Sequence, residues 1–333
     1  MEGWRRARGW CMAKGRCQFV LTVGMVTLLT GLCCALAMAP KWTLPKIRAA
    51  QDASTESLGQ APAGDPRLAA VRRTMEPFGP IESIGVPGAD GTESLVVGHP
   101  GHRAELEVLA RELPDATAAI TELWGPDWAR SALVVVAATP SEFAALVRAG
   151  TEMPTEVAAA SVADPFVRGS KPTGQRVVFS PDAGRRLSAD GLRTLLRHEL
   201  THIAARAETA DGAPQWMLEG FAEYAAHRGQ GHPFAQIAPT VNAALRSGTL
   251  PDDLPPDAAF TGGSAVAAYE EAWSASAFVA EKYDERRLVE LYRRLAAQRQ
   301  DAASEDRVLR EVLGIGRADF VADWRGWLSA QAV

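Results

Sequence analysis

The side chains whose types and spacing could do chemistry are concentrated in His198-Glu199-Leu200-Thr201-His202. On a helix, positions i and i+4 share a face, so the two imidazoles can offer nitrogens to one metal ion. Glu199 projects beside them, where it can take a proton from a metal-held water rather than ligate the metal itself. Such a site needs a third ligand. Glu219 follows seventeen residues after His202, within Trp216-Met217-Leu218-Glu219-Gly220-Phe221-Ala222-Glu223-Tyr224. An unpaired carboxylate in so apolar a stretch is costly, and a metal ion supplies the pairing. Two His and one Glu leave one tetrahedral position for water, which is the open form of a catalytic zinc site.

Two neighbouring helices must position these groups. Helical patterns run over 188–207, with Ser188 and Asp190 as caps and Leu192, Leu195, Leu196, Ile203 and Ala204 as an apolar face, and over 214–227. The short connection makes them antiparallel neighbours, Gly220 and Ala222 let the second approach the first closely, and Trp216 is expected to pack between them. Further helices are predicted over 103–124, 141–148, 235–246, 265–283, 286–298, 303–313 and 317–330. Strands are predicted over 94–97, 131–138, 158–163 and 176–180. Strands that precede a helical half make an α+β fold, a small mixed sheet followed by a mainly helical half, over residues 66–333. His99, His102, His227 and His232 fall in Gly/Pro loops or at a helix end and read as solvent-facing.

The two segments His198-Glu199-x-x-His202 and Trp216-x-x-Glu219-Gly220-x-Ala222-Glu223-Tyr224 together resemble the gluzincin zinc metallopeptidases. The likeness is greatest to the peptidase MA-like family, with its W-x-x-E-G-x-A-E-Y segment, and covers roughly residues 130–300. The resemblance implies a gluzincin-like fold, one Zn2+ held by His198, His202 and Glu219, Glu199 as general base, and a peptide or protein substrate. It also implies that Glu223, one turn after Glu219, hydrogen-bonds a ligating His and fixes its tautomer. Tyr269 stands where similar proteins often have a tyrosine at the head of the next long helix, suited to donate to an oxyanion. Tyr269, Trp273, Ala277, Ala280 and Tyr283 equally form a helical stripe, which reads as core. Enzymes resembling this one hold an extended peptide on an edge strand just before the zinc helix, and 176–180 is the candidate. The G-x-M-E-N segment that holds a free substrate N-terminus in gluzincin aminopeptidases has no counterpart, so aminopeptidase action is not implied. A catalytically silent zinc-binding or protein-interaction module on the same fold is the alternative. Glu199 separates the two, because a binding module has no use for the base.

The N-terminus carries a different signal. Residues 19–39 contain no charge and are long enough to cross a bilayer as a helix. Arg5, Arg6, Arg8, Lys14 and Arg16 against Glu2 leave +4 on residues 1–18, which puts this tip in the cytoplasm and the rest outside. The organisation read from this is a cytoplasmic tip (1–18), a single-pass signal anchor in the cell membrane (19–39), a flexible linker (40–65) rich in Ala, Ser, Gln, Pro and Gly, and the metallopeptidase domain. Cleavage after Ala37-Met38-Ala39 would instead release a secreted domain, although Pro40 makes a poor residue after the cut. With a net charge of −5 over 333 residues, the remainder carries −9, an acidic surface with no attraction to phosphate backbones, so nucleic acid is excluded as an expected partner. All four cysteines lie within the first 34 residues, so a metal site further along must use His, Asp or Glu.

Overall fold

The computed structural model describes residues 59–60, 65–149, 157–166 and 170–331. The expected cytoplasmic tip and membrane segment lie outside the described residues, as do all four cysteines. No helix among the described residues is long and apolar enough to cross a membrane.

Six strands form one mixed sheet: β1 Gly59–Gln60, β2 Glu82–Pro87, β3 Glu93–Gly98, β4 Leu133–Val136, β5 Ala159–Val162 and β6 Arg176–Phe179, in the spatial order β1-β2-β3-β4-β6-β5. β2 and β3 are an antiparallel hairpin, β3, β4 and β6 are parallel, and β5 runs antiparallel to β6. Gly59–Gln60, inside the stretch expected as linker, pairs with β2. Side chains alternate between two faces of a strand, and each face here has its own core. Val96, Val134, Val136, Ala159, Val177 and Phe179 point to one side, against helices α2 (Arg103–Trp124) and α4 (Ala189–Ala205). Leu95, Val97, Leu133, Val135, Ala160 and Val178 point to the other, against α1 (Pro66–Met75) and α3 (Pro140–Val147).

Beyond α4 the chain is helical: α5 (Gln215–His227), α6 (Pro239–Arg246), α7 (Ala265–Lys282), α8 (Glu285–Leu295), α9 (Ala302–Leu313) and α10 (Arg317–Gln331), with shorter turns between them. A small sheet followed by a mainly helical half is the α+β arrangement the sequence predicts. The helix expected over 235–246 is instead a short turn, Phe234–Ile237, followed by α6, because Pro239 has no N–H to continue the first segment and starts the second.

Strand order corrects one expectation. Arg176–Phe179 lies between β4 and β5, so it is not an edge; the edge beside α4 is β5. The reason is visible in composition. Val177, Val178 and Phe179 are fully buried, as a strand covered on both faces and both sides requires, whereas Ser161 in β5 is partly exposed. His99 is a second correction, since it is buried: Nε2 lies 2.8 Å from Glu142 Oε1 and Nδ1 lies 2.8 Å from the Pro80 carbonyl oxygen. Glu142, fully buried on α3, accepts through its other oxygen from the Ala138 N–H at 2.6 Å.

Candidate metal centre

Helix α4 begins where Ser188 Oγ accepts the Gly191 N–H at 3.1 Å, satisfying one free donor of the first turn. Leu192, Leu195, Leu196, Leu200, Ile203 and Ala204 bury its apolar face. Arg197 donates to Glu112 Oε1 at 2.6 Å and ties α4 to α2. Its last turn is held to the sheet by Gln175, whose side-chain amide donates to the Ile203 carbonyl at 2.9 Å. Helix α5 starts after Pro214, and the Gln215 N–H donates to Asp257 Oδ1 at 2.9 Å.

Helix α5 is clamped from its other side. A Cβ at Gly220 would stand 2.2 Å from the Ala272 carbonyl oxygen, so only glycine lets α5 meet α7 at this separation. The close approach that Gly220 makes possible is therefore to α7, not to α4 as the sequence suggested. Trp216 also reaches the later helices: its Nε1–H donates to Glu305 Oε1 on α9 at 2.9 Å, and its ring is 6.1 Å from that of Phe320 on α10.

Between α4 and α5 three ligand atoms converge. The Nε2 atoms of His198 and His202 are 3.1 Å apart, and Glu219 Oε2 is 3.4 Å from the first and 3.3 Å from the second. Donors about 2.0–2.1 Å from one tetrahedral ion stand roughly 3.3 Å from one another, so this spacing fits zinc. Charge fits as well. Glu199, Glu219 and Glu223 are 0%, 1% and 6% exposed, and three buried carboxylates around two imidazoles call for a cation. Glu219 Oε2 and both oxygens of Glu199 have no hydrogen-bond partner among the described residues.

The electrostatics reflect this crowding. Burial opposes a charge on His198, but Glu223, Glu219 and Glu199 together hold its pKa well above the ordinary value. Burial also opposes the charge on Glu219, and His202 and His198 outweigh it, leaving that carboxyl below its usual range. For Glu199 burial wins and the pKa is raised, against the pull of His198 and His202 and a weaker one from the Ser161 hydroxyl on β5. Glu223 Oε1 lies 3.1 Å from His198 Nδ1, close enough to pair although the two are not aligned as a hydrogen bond. Tyr269 is buried, its ring edge-on to Phe260 with centroids 5.2 Å apart. Burial, then the charges of Glu219, Glu223 and Glu199, push its phenol well above the usual pKa.

Two participants escaped sequence reading. Ser161 was hidden because strand order, not local pattern, brings β5 beside Glu199. His227 carried a usable signal: it follows Glu219 and Glu223 at two successive four-residue steps and so shares their helical face. It is mostly buried rather than solvent-facing, with Nε2 3.6 Å from Glu223 Oε2.

No family model matches the chain, and no curated protein matches it. Among solved structures it is similar to an M1 zinc metallopeptidase from Deinococcus radiodurans, at 17% identity over 77% of this chain and 53% of that one, with a TM-score of 0.44. It is also similar to a mutant of a two-domain M1 zinc metallopeptidase bound to L-arginine, at 15% identity over 75% of this chain and 52% of that one, with a TM-score of 0.43. The chain thus spans about half the length of these proteins. What the centre can do follows from its own residues.

Proposed function

We propose that the chain is a zinc metallopeptidase that hydrolyses peptide bonds, tethered to the cell membrane by residues 19–39 with its C-terminal domain outside the cytoplasm. The observation that carries the enzymatic reading is the convergence of His198, His202 and Glu219 beside a fully buried Glu199. The membrane reading rests on the uncharged run and the cations before it. Protease accessibility of the C-terminal domain on intact cells tests it, and complete protection would refute that orientation.

Zinc bound at such a site supplies a Lewis acid that polarises the scissile carbonyl and acidifies water. His198, His202 and Glu219 would hold the ion. Glu199, buried beside them, would accept the proton of the attacking water and deliver it to the departing amine. Glu223 restrains His198 through Nδ1, and Tyr269 donates its phenolic proton toward the oxyanion.

Among the described residues β5 is the outermost strand on this side of the sheet, and its outer edge offers a way to hold substrate. Ala158 O accepts from Ser180 N at 2.8 Å, and antiparallel alternation then turns Ala160 and Val162 toward β6 and the backbone groups of Ala159 and Ser161 outward. An extended peptide pairing there would run beside Glu199. The test is zinc content and peptide-library cleavage by the full chain, wild type against Glu199→Gln. Zinc in both with cleavage only by wild type is the expected result. Zinc without cleavage by wild type would make the chain a silent zinc-binding module, and a folded chain without zinc would overturn the site.

A further inference from the structure

Glu223 lies between two imidazoles. Its Oε1 is 3.1 Å from Nδ1 of His198, and its Oε2 is 3.6 Å from Nε2 of His227. The side chains of Glu223 and His227 are 8% and 11% exposed, and neither ring nitrogen of His227 has a hydrogen-bond partner among the described residues. Around His227 stand His232, its ring centroid 5.8 Å away, and Trp273, 6.5 Å away, both edge-on. Burial, the largest influence, pushes the pKa of His227 down, with His232 and His198 acting the same way and Glu223 opposing them. A ring nitrogen of His227 that carries a proton can therefore turn it only toward Glu223, the carboxylate that faces it at 3.6 Å.

We infer that His227 is a positioning residue for the metal centre: it presents Nε2–H to Oε2 of Glu223 and so fixes the carboxylate whose other oxygen restrains the ligating His198. This rests on the zinc site proposed above. At 3.6 Å the contact is electrostatic rather than a full hydrogen bond, and a small rotation of either side chain closes it. A carboxylate anchored at one oxygen only can swing, and the imidazole it restrains swings with it. Anchoring both oxygens removes that freedom. Groups that orient a ligating imidazole from outside the ligand set typically influence metal affinity by about 10- to 100-fold. His227 stands one contact further out, so the expected effect is about tenfold.

The experiment is zinc affinity by chelator competition on the full chain, read without reference to activity. The variants are His227→Ala, His227→Gln, Glu223→Gln and the His227→Ala/Glu223→Gln double mutant. His227→Ala should weaken zinc binding about tenfold, and His227→Gln, which keeps an N–H donor, should recover part of the loss. In the Glu223→Gln background the same alanine substitution should change little, because the group it acts through has lost its charge. A merely structural role would lower thermal stability of the metal-free protein while leaving this coupling at zero. An unchanged affinity in His227→Ala, or an equal loss in both backgrounds, overturns the inference. Absence of zinc from the wild type would instead overturn the site on which it rests.

Discussion

Substituting Gly220 by alanine joins packing and site in one perturbation. The added Cβ would lie 2.2 Å from the carbonyl oxygen of Ala272, 2.7 Å from its carbon and 2.9 Å from Ser276 Oγ. Two of these are backbone atoms that cannot rotate away, so α5 and α7 must part by roughly 1 Å to restore ordinary contact. Overpacking of this kind costs about 1–3 kcal/mol, with backbone clashes at the upper end. Alanine recovers about 1 kcal/mol through its better helix propensity. A net loss of about 2 kcal/mol corresponds to a fall of roughly 4–8 °C in the unfolding midpoint for a domain of this size. Glu219 is the residue before Gly220, so the same shift moves the proposed zinc ligand by a sizeable part of 1 Å, beyond the tolerance of about 0.5 Å for a preorganised site. Thermal unfolding with excess chelator reads the first effect, and zinc titration of the folded protein reads the second. A Gly220→Ala protein as stable as wild type when metal-free, with unchanged zinc affinity, would refute the close α5–α7 packing and its link to the site.

Other perturbations read separate parts of the account. Tyr269→Phe should lower kcat about 100-fold with little change in KM or unfolding midpoint if the phenol serves the oxyanion; unchanged kcat would assign Tyr269 to the core alone. Ser161→Pro removes one outward N–H from β5 and should raise KM several-fold through the loss of about 1 kcal/mol of hydrogen bonding, while Ser161→Ala keeps that N–H. Equal KM in the two variants would remove β5 from substrate binding. Glu270, buried beside the start of α6 and accepting the Val241 N–H at 2.7 Å, has its pKa pushed up to about 7, chiefly by burial. A carboxyl raised on folding contributes stability that is full below its unfolded value, 4.5, and is lost as pH rises through about 7. Chemical denaturation across that range should therefore show a steeper decline for wild type than for Glu270→Gln, and parallel profiles would contradict the burial of this charge.

The sequence made the helices around the metal centre legible because each carries its own period and cap. The stretch 188–207 became Ala189–Ala205 with Ser188 at its head, and 265–283 became Ala265–Lys282. The pentapeptide and Glu219 were legible for the same reason: a fixed helical spacing, plus a carboxylate in apolar company. What failed was set by contacts distant in the chain. β5 precedes β6 in sequence yet lies outside it, so the edge was assigned to the wrong strand. β1 and β2 were missed because two residues, and a strand ending in Pro87, lack a clear alternating run. Gly220 was read correctly as a point of close approach, but which helix it meets depends on how α7 folds back. His99 looked like a loop residue because Glu142, its buried partner, lies 43 positions away.

The central claim is that His198, His202 and Glu219 together hold the metal while Glu199 stands beside it without ligating. Zinc retained per chain after exhaustive dialysis of the full-length protein, in wild type, Glu219→Ala and Glu199→Gln, tests it directly. The account predicts one zinc in wild type and in Glu199→Gln, and little or none in Glu219→Ala. Full zinc occupancy in Glu219→Ala, or loss of zinc from a folded Glu199→Gln protein, would contradict it.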